Sequence, residues 1–109
     1  MCGICGYWRP GDPLPDAPAI IDDMCAAIVH RGPDGQGSYV DPSVGLAMGH
    51  TRLAIIGLED GQQPLVSRDG MTALTVNGEF YGYKRIRAEL AADGERMRTA
   101  TDSEIAIGL

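Results

Sequence analysis

Four runs rich in glycine, proline and aspartate cut this chain into short pieces, and those interruptions decide what each piece can become. The first, Arg9-Pro10-Gly11-Asp12-Pro13 with Pro15 beyond it, is too rigid and too poor in backbone donors for a helix interior. It ends a short apolar strand expected over residues 2–8. A helix opened by Asp16 or Pro18 follows, with Ile20, Ile21, Met24 and Ile28 on one face at helical spacing and Cys25 beside them as core packing. The second run, His30-Arg31-Gly32-Pro33-Asp34-Gly35, must end that helix in a structured turn. The third, Asp41-Pro42, separates β-branched and aromatic stretches at 37–40 and 44–56, which predicts two strands joined by a tight connection. The fourth, Ser67-Arg68-Asp69-Gly70, lies between 65–66 and 71–76, where Asp-Gly supplies the positive-φ positions of a second hairpin.

Beyond the hairpins, Ile86 and Leu90 stand four apart among charged residues and predict an amphipathic helix over 83–92. Thr101-Asp102-Ser103-Glu104 has the form of a helix start, a Thr N-cap answered by Glu. The chain stops just after that start, as expected of a truncated sequence with some of its fold missing. At 109 residues it is one domain, and a hydrophobic content of 44% supports a core. A net charge of −6 with no basic cluster argues against nucleic-acid binding. No charged leader opens the chain, and no apolar run approaches the ~18 residues of a membrane span, so a soluble, cytoplasmic protein without membrane contact is expected. Three cysteines, an odd number, argue for reduced thiols rather than a disulfide framework.

Cys2 therefore counts as chemistry. Removal of Met1 leaves its thiol and a free α-amine on one carbon, a nucleophile with its own base near neutral pH. The alternative is a small residue tolerated after Met1. Asn77-Gly78-Glu79 places an amide, an unobstructed backbone N–H and a carboxylate at a strand end, a trio able to hold an oxyanion; a type I′ Asn-Gly turn is the alternative. Arg52, in an otherwise apolar strand, suits a substrate carboxylate, or else one of the plentiful surface acids. Asp102 is equally an acid favoured by a helix dipole. Cys2 and Cys5 share a C-x-x-C spacing, but they lie within a terminal strand and Cys25, His30 and His50 do not complete a zinc knuckle. His30 and His50 receive no catalytic role, and no metal is expected.

Taken in order, Met1-Cys2-Gly3-Ile4, His30-Arg31-Gly32-Pro33-Asp34, Gly49-His50-Thr51-Arg52-Leu53-Ala54-Ile55-Ile56, Gln63-Pro64-Leu65, Asn77-Gly78-Glu79-Phe80-Tyr81 and Thr101-Asp102-Ser103-Glu104 resemble the glutaminase domain of class II glutamine amidotransferases. Within that superfamily, Arg-Gly-Pro-Asp and Gln-Pro-Leu look like glutamine-hydrolysing asparagine synthase. The resemblance covers essentially the whole chain. It implies an α+β fold of the N-terminal-nucleophile type, an α/β/β/α sandwich of antiparallel sheets, of which residues 1–109 would be the N-terminal part. It implies that Cys2 attacks the side-chain amide of L-glutamine while its α-amine relays the proton. Asn77 and Gly78 would form the oxyanion hole and Arg52 would clamp the α-carboxylate. Glu79 and Asp102 would hold the α-ammonium, and Leu53, Ile55 and Ile56 would supply pocket wall and backbone contacts.

The family often carries Asn after Tyr81, where this chain has Gly82, a change outside the implied oxyanion hole. Family glutaminase domains are nearly twice as long and precede an ATP-dependent synthetase domain. That domain would be a partner within the same polypeptide, bringing the need for ATP and Mg, whereas this chain itself calls for no cofactor. A homodimer is compatible with this arrangement. Three other readings stay open: a glutaminase feeding another ammonia acceptor, a catalytically silent glutaminase-like scaffold, and a small redox or zinc protein built on Cys2 and Cys5.

Overall fold

The computed structural model describes residues 2–53, 62–78, 80–95 and 104–108. Gly3–Trp8 forms β1, Ala17–Ala27 forms α1, Gly35–Asp41 forms β2 and Leu46–Arg52 forms β3. The three strands make an antiparallel sheet in the order β1-β3-β2, with Cys5 opposite Gly49 and Ser38 opposite that same glycine. Because side chains alternate across a sheet, Cys5, Tyr7, Val40 and Ala47 share one face. That face meets α1, whose own buried stripe is Ala17, Ile21 and Cys25, spaced four apart. Ile21, Cys25 and Ala47 are fully buried, and removing Ile21 from water contributes roughly 1.5–3 kcal/mol. Gly49 seats this contact, since a methyl there would stand 2.7 Å from both the Cys5 and Cys25 sulfurs.

Helix α1 begins where the first proline run predicts, but by another device. Asp16 occupies the N-cap without a side-chain cap; the preceding turn is held instead by Asp12 Oδ1 accepting from Leu14 N–H at 2.8 Å and by Leu14 O accepting from Ala17 N–H. After Ala27 the chain tightens into a 3-10 turn over Val29–Arg31 and leaves at Gly32.

The opposite face of the sheet carries Ile4, Met48, His50 and Arg52, together with Gly35 and Gly37. Onto it comes the second hairpin region. β4 (Leu65–Val66) and β5 (Ala73–Leu74) pair antiparallel around Ser67–Gly70, with Gly70 at φ 72°. The segment before β4 presses on Gly37 so closely that a methyl there would run into the Gln63 carbonyl oxygen. The segment after β5 is joined to β3 by His50 Nδ1 and Thr75 Oγ1 at 3.0 Å. α2 (Tyr83–Ala92) buries Leu90, and α3 (Ile105–Gly108) packs against β5 and α2. The chain is thus a mixed α/β fold with antiparallel sheets, and its first sheet lies between α1 and the second hairpin region.

Two strand boundaries differ from expectation, and one alternative turn is excluded. The strand expected over 44–56 starts only at Leu46, because Val44 and Gly45 belong to the connection and Gly45 O accepts from Arg9 N–H at 2.7 Å; it runs to Arg52, and residues 54–56 lie outside the described residues. Of the stretch 71–76 only Ala73–Leu74 pairs, because the Val76 N–H goes to the side chain of Gln63 instead of a ladder carbonyl. Neither Asn77 nor Gly78 has positive φ, so the type I′ turn, which needs it at both, is excluded. The Thr101 helix start lies outside the described residues.

Candidate functional site

Cys2 extends β1 by one residue beyond the Gly3–Thr51 pair, which brings it beside the end of β3. There its half-buried sulfur meets both backbone groups of Leu53: the Leu53 N–H donates to Sγ at 3.3 Å, and the thiol donates to the Leu53 carbonyl at 3.7 Å. Arg31, from the turn after α1, donates through Nε to the Cys2 carbonyl at 3.2 Å. The same turn is pinned to β3, with the Arg52 carbonyl accepting from Asp34 N–H at 2.9 Å. Cys2 is thus held by chain segments 29 and 51 residues away, its carbonyl by the first and its thiol by the second.

Arg52 is buried, 6% exposed, on the face of β3 that looks away from α1. His50 precedes it by two residues on that face and is 1% exposed. Burial, and then the Arg52 charge, push the His50 pKa below its ordinary 6.5, so the imidazole is neutral at physiological pH. Its Nδ1 is bound to Thr75, whereas Nε2 has no partner among the described residues. Gln63, 8% exposed, accepts at Oε1 from Val76 N–H at 2.7 Å. These two bonds fix the chain immediately before Asn77, which is half-buried, and Gly78, which is exposed. Among the described residues, a methyl on Gly78 would find only Val76 Cγ2, at 3.9 Å.

Of the residues expected at the site, Cys2, Arg52 and Leu53 are brought together, and Asn77 and Gly78 are tied to the same face of the sheet through Thr75 and His50. Ile55, Ile56, Glu79 and Asp102 lie outside the described residues. Reading the residues alone gave no role to Arg31, Gln63 or Thr75. Arg31 and Gln63 stand in motifs visible in the sequence, but nothing in the chain around Thr75 marks it.

The other cysteines separate from Cys2. Cys5 turns to α1, with its sulfur 3.7 Å from that of Cys25, and all three thiols are free. Burial, reinforced by Cys25, pushes the Cys5 pKa up to about 11. At neutral pH a thiol of that pKa is thiolate in only about one molecule in 10⁴. Iodoacetamide at pH 7 is therefore expected to alkylate Cys2 well before Cys5 or the buried Cys25, with all three modified once denaturant is added; peptide mapping reads the order, and early labelling of Cys5 would contradict the packing. Among the described residues no group of three or more His, Cys, Asp or Glu is placed to hold a metal ion. No helix there is long and apolar enough to cross a membrane. An open cleft of about 480 Å³ beside Tyr7, Arg9, Leu14 and Ile20 contains none of the candidate residues.

A family model described as "Glutamine amidotransferase domain" matches residues 1–109. "Asparagine synthetase [glutamine-hydrolyzing] 1" of Bacillus subtilis is 40% identical over 107 residues, covering 96% of this chain and 17% of the relative. "Probable asparagine synthetase [glutamine-hydrolyzing]" of Dictyostelium discoideum is 38% identical over 105 residues, covering 95% and 18%. "Amidase chry2" of Gibberella zeae is 35% identical over 119 residues, covering 100% and 18%. The chain spans less than a fifth of the length of each of these relatives.

Proposed function

The chain belongs to the glutamine amidotransferase domain family, and on that premise we propose that it hydrolyses glutamine to glutamate and ammonia through a thioester on Cys2. The observation that carries this reading is the Cys2 thiol held between the two backbone groups of Leu53, next to a buried arginine. With Met1 removed, the α-amine takes the thiol proton and sulfur attacks the side-chain amide carbon. The resulting oxyanion is received by the Asn77 side-chain NH₂ and the Gly78 backbone N–H. The C–N bond then breaks, the proton passes to the departing nitrogen, and ammonia leaves a γ-glutamyl thioester. Water cleaves that thioester, releasing glutamate and the free thiol. Arg52 pairs with the α-carboxylate, while Glu79 and Asp102 take the α-ammonium.

The ammonia serves ATP-dependent synthesis of asparagine from aspartate in a C-terminal synthetase domain of the same polypeptide, where ATP and Mg would bind. The names of the bacterial and amoebal relatives support this acceptor. The fungal relative, named an amidase, favours a second reading in which the glutaminase is kept and the acceptor differs. The order of α1, first sheet and second hairpin region supports the α/β/β/α sandwich of the N-terminal-nucleophile fold, and a cytoplasmic location goes with this reading. Intact mass of the full polypeptide, with and without the glutamine-mimicking electrophile 6-diazo-5-oxo-L-norleucine, tests it. We expect a species lacking Met1 that gains a single adduct on Cys2. A processed, folded protein that never takes the label would overturn the reading in favour of a silent scaffold.

A further inference from the structure

The neutral, buried His50 is unused by the chemistry above, and what it joins gives it a role. On β3 it stands two residues before Arg52, on the same face. Across its hydrogen bond stands Thr75, two residues before Asn77. One 3.0 Å contact therefore connects the strand bearing the proposed carboxylate clamp to the segment bearing the proposed oxyanion donors, at equal offsets from both. At about 3.3 Å per extended residue, each of those groups lies within about 7 Å, along the chain, of the joint. Glutamine has a limited reach from its α-carboxylate to its side-chain amide, so the two subsites must keep a separation that one bound conformer can span. The second bond in the region, Val76 N–H to Gln63 Oε1, ties the segment to residue 63 and not to β3.

We infer that His50 is a positioning residue: through Thr75 it holds Asn77 and Gly78 in register with the stretch of β3 that carries Arg52. This rests on the glutaminase reading of the site. An unpartnered buried acceptor is tolerated better than an orphaned N–H. The hydrogen-bond pattern therefore assigns the proton to Nδ1, donating to Thr75 Oγ1, and leaves Nε2 as the bare nitrogen. Holding the imidazole uncharged keeps it compatible with the Arg52 guanidinium beside it.

Misregister of an oxyanion hole harms the transition state more than the bound substrate. The test is glutaminase kinetics on the full polypeptide, with thermal melting alongside. Thr75→Val, which keeps the branched shape and removes the oxygen, is expected to lower kcat about tenfold with KM changed less than about twofold. Thr75→Ser, which keeps the oxygen, should stay within about twofold of the parent in kcat. His50→Asn, which retains a donor near the Nδ1 position, should be less damaging than His50→Leu, and combining His50→Leu with Thr75→Val should cost no more than His50→Leu alone. A Thr75→Val enzyme with parental kcat overturns the inference alone, as does a loss equal in Thr75→Ser or one that only follows a lowered melting temperature. A parent polypeptide that neither turns over glutamine nor takes the electrophile removes the glutaminase reading and this inference with it.

Discussion

Replacing Cys2 with Ala in the full polypeptide is expected to abolish glutamine hydrolysis, by a factor on the order of 10⁴ or more, and to abolish labelling by 6-diazo-5-oxo-L-norleucine while the fold persists. The size of the effect follows from the role: without sulfur no thioester forms, and water must attack an unactivated amide. The fold should tolerate the change because the sulfur is half-buried and its hydrogen bonds among the described residues go to backbone groups of Leu53, so Ala leaves little cavity. Cys2→Ser separates sulfur from geometry, since its oxygen can still accept from the Leu53 N–H but attacks far more weakly. A form that retains Met1, made under inhibition of methionine aminopeptidase, separates sulfur from amine. It keeps the thiol but turns the base into a peptide nitrogen, and it too is expected to be inactive. Residual turnover in that form would assign the proton to some other base, and full turnover in Cys2→Ala would remove the nucleophile altogether.

The parts of this fold that were legible in the sequence are those set by local rules. Ile21, from the apolar face that helical spacing marks, and Cys25 beside it are buried, while Ile20, Met24 and Ile28 are half-buried, and the Asp69-Gly70 turn has the positive φ that its glycine permits. Strand ends were not legible, because a strand ends where its partner ends. The apolar run of β3 starts at Val44, but β1 ends at Trp8 and β2 at Asp41, both opposite Leu46, so pairing begins there. β5 shortens for a different reason, the capture of the Val76 N–H by the Gln63 side chain 13 residues earlier. No periodicity encodes either event.

The candidate site divides along the same line. Cys2, Arg52 and the Asn77-Gly78 pair were visible as residue types suited to acyl transfer, and the resemblance supplied the substrate. The contacts that hold them were invisible: Arg31 to Cys2, Leu53 to Cys2 and His50 to Thr75 join positions 29, 51 and 25 residues apart. Such bonds arise only after the turn at Gly32 and the stacking on Gly37 have brought segments together. His50 illustrates the loss most plainly, since a histidine in an apolar strand reads as inert packing until its partner is known.

Gly37→Ala is expected to be the most destabilising single change in the described sheet, and comparison with Gly78→Ala turns that into a test of what each glycine is for. At Gly37 the added methyl would collide with the Gln63 carbonyl oxygen and lie 2.9 Å from the Gln63 carbonyl carbon, with Pro64 Cδ in ordinary contact at 3.5 Å. The first two are backbone atoms, which no rotamer change can move aside. Relief requires the segment at 63–64 to lift from the sheet, loosening the Gln63 bond to Val76 and, through the segment after β5, the His50 bond to Thr75. Overpacking of this kind costs about 3 kcal/mol or more, a large share of a domain stability of roughly 5–15 kcal/mol. For a domain of this size that lowers Tm by on the order of 15 °C. At Gly78 the nearest atom to an added methyl among the described residues is 3.9 Å away, so Tm should change little. Under the proposed mechanism, however, the methyl enters the space through which the glutamine amide reaches the backbone N–H, and turnover should fall about 10²-fold. Melting curves and glutaminase rates on the two variants should therefore separate: one loses the fold, the other only the chemistry. A Gly37→Ala protein with parental Tm would show that the hairpin region does not press on β2 as described, and a Gly78→Ala protein with parental turnover would take Gly78 out of the oxyanion hole.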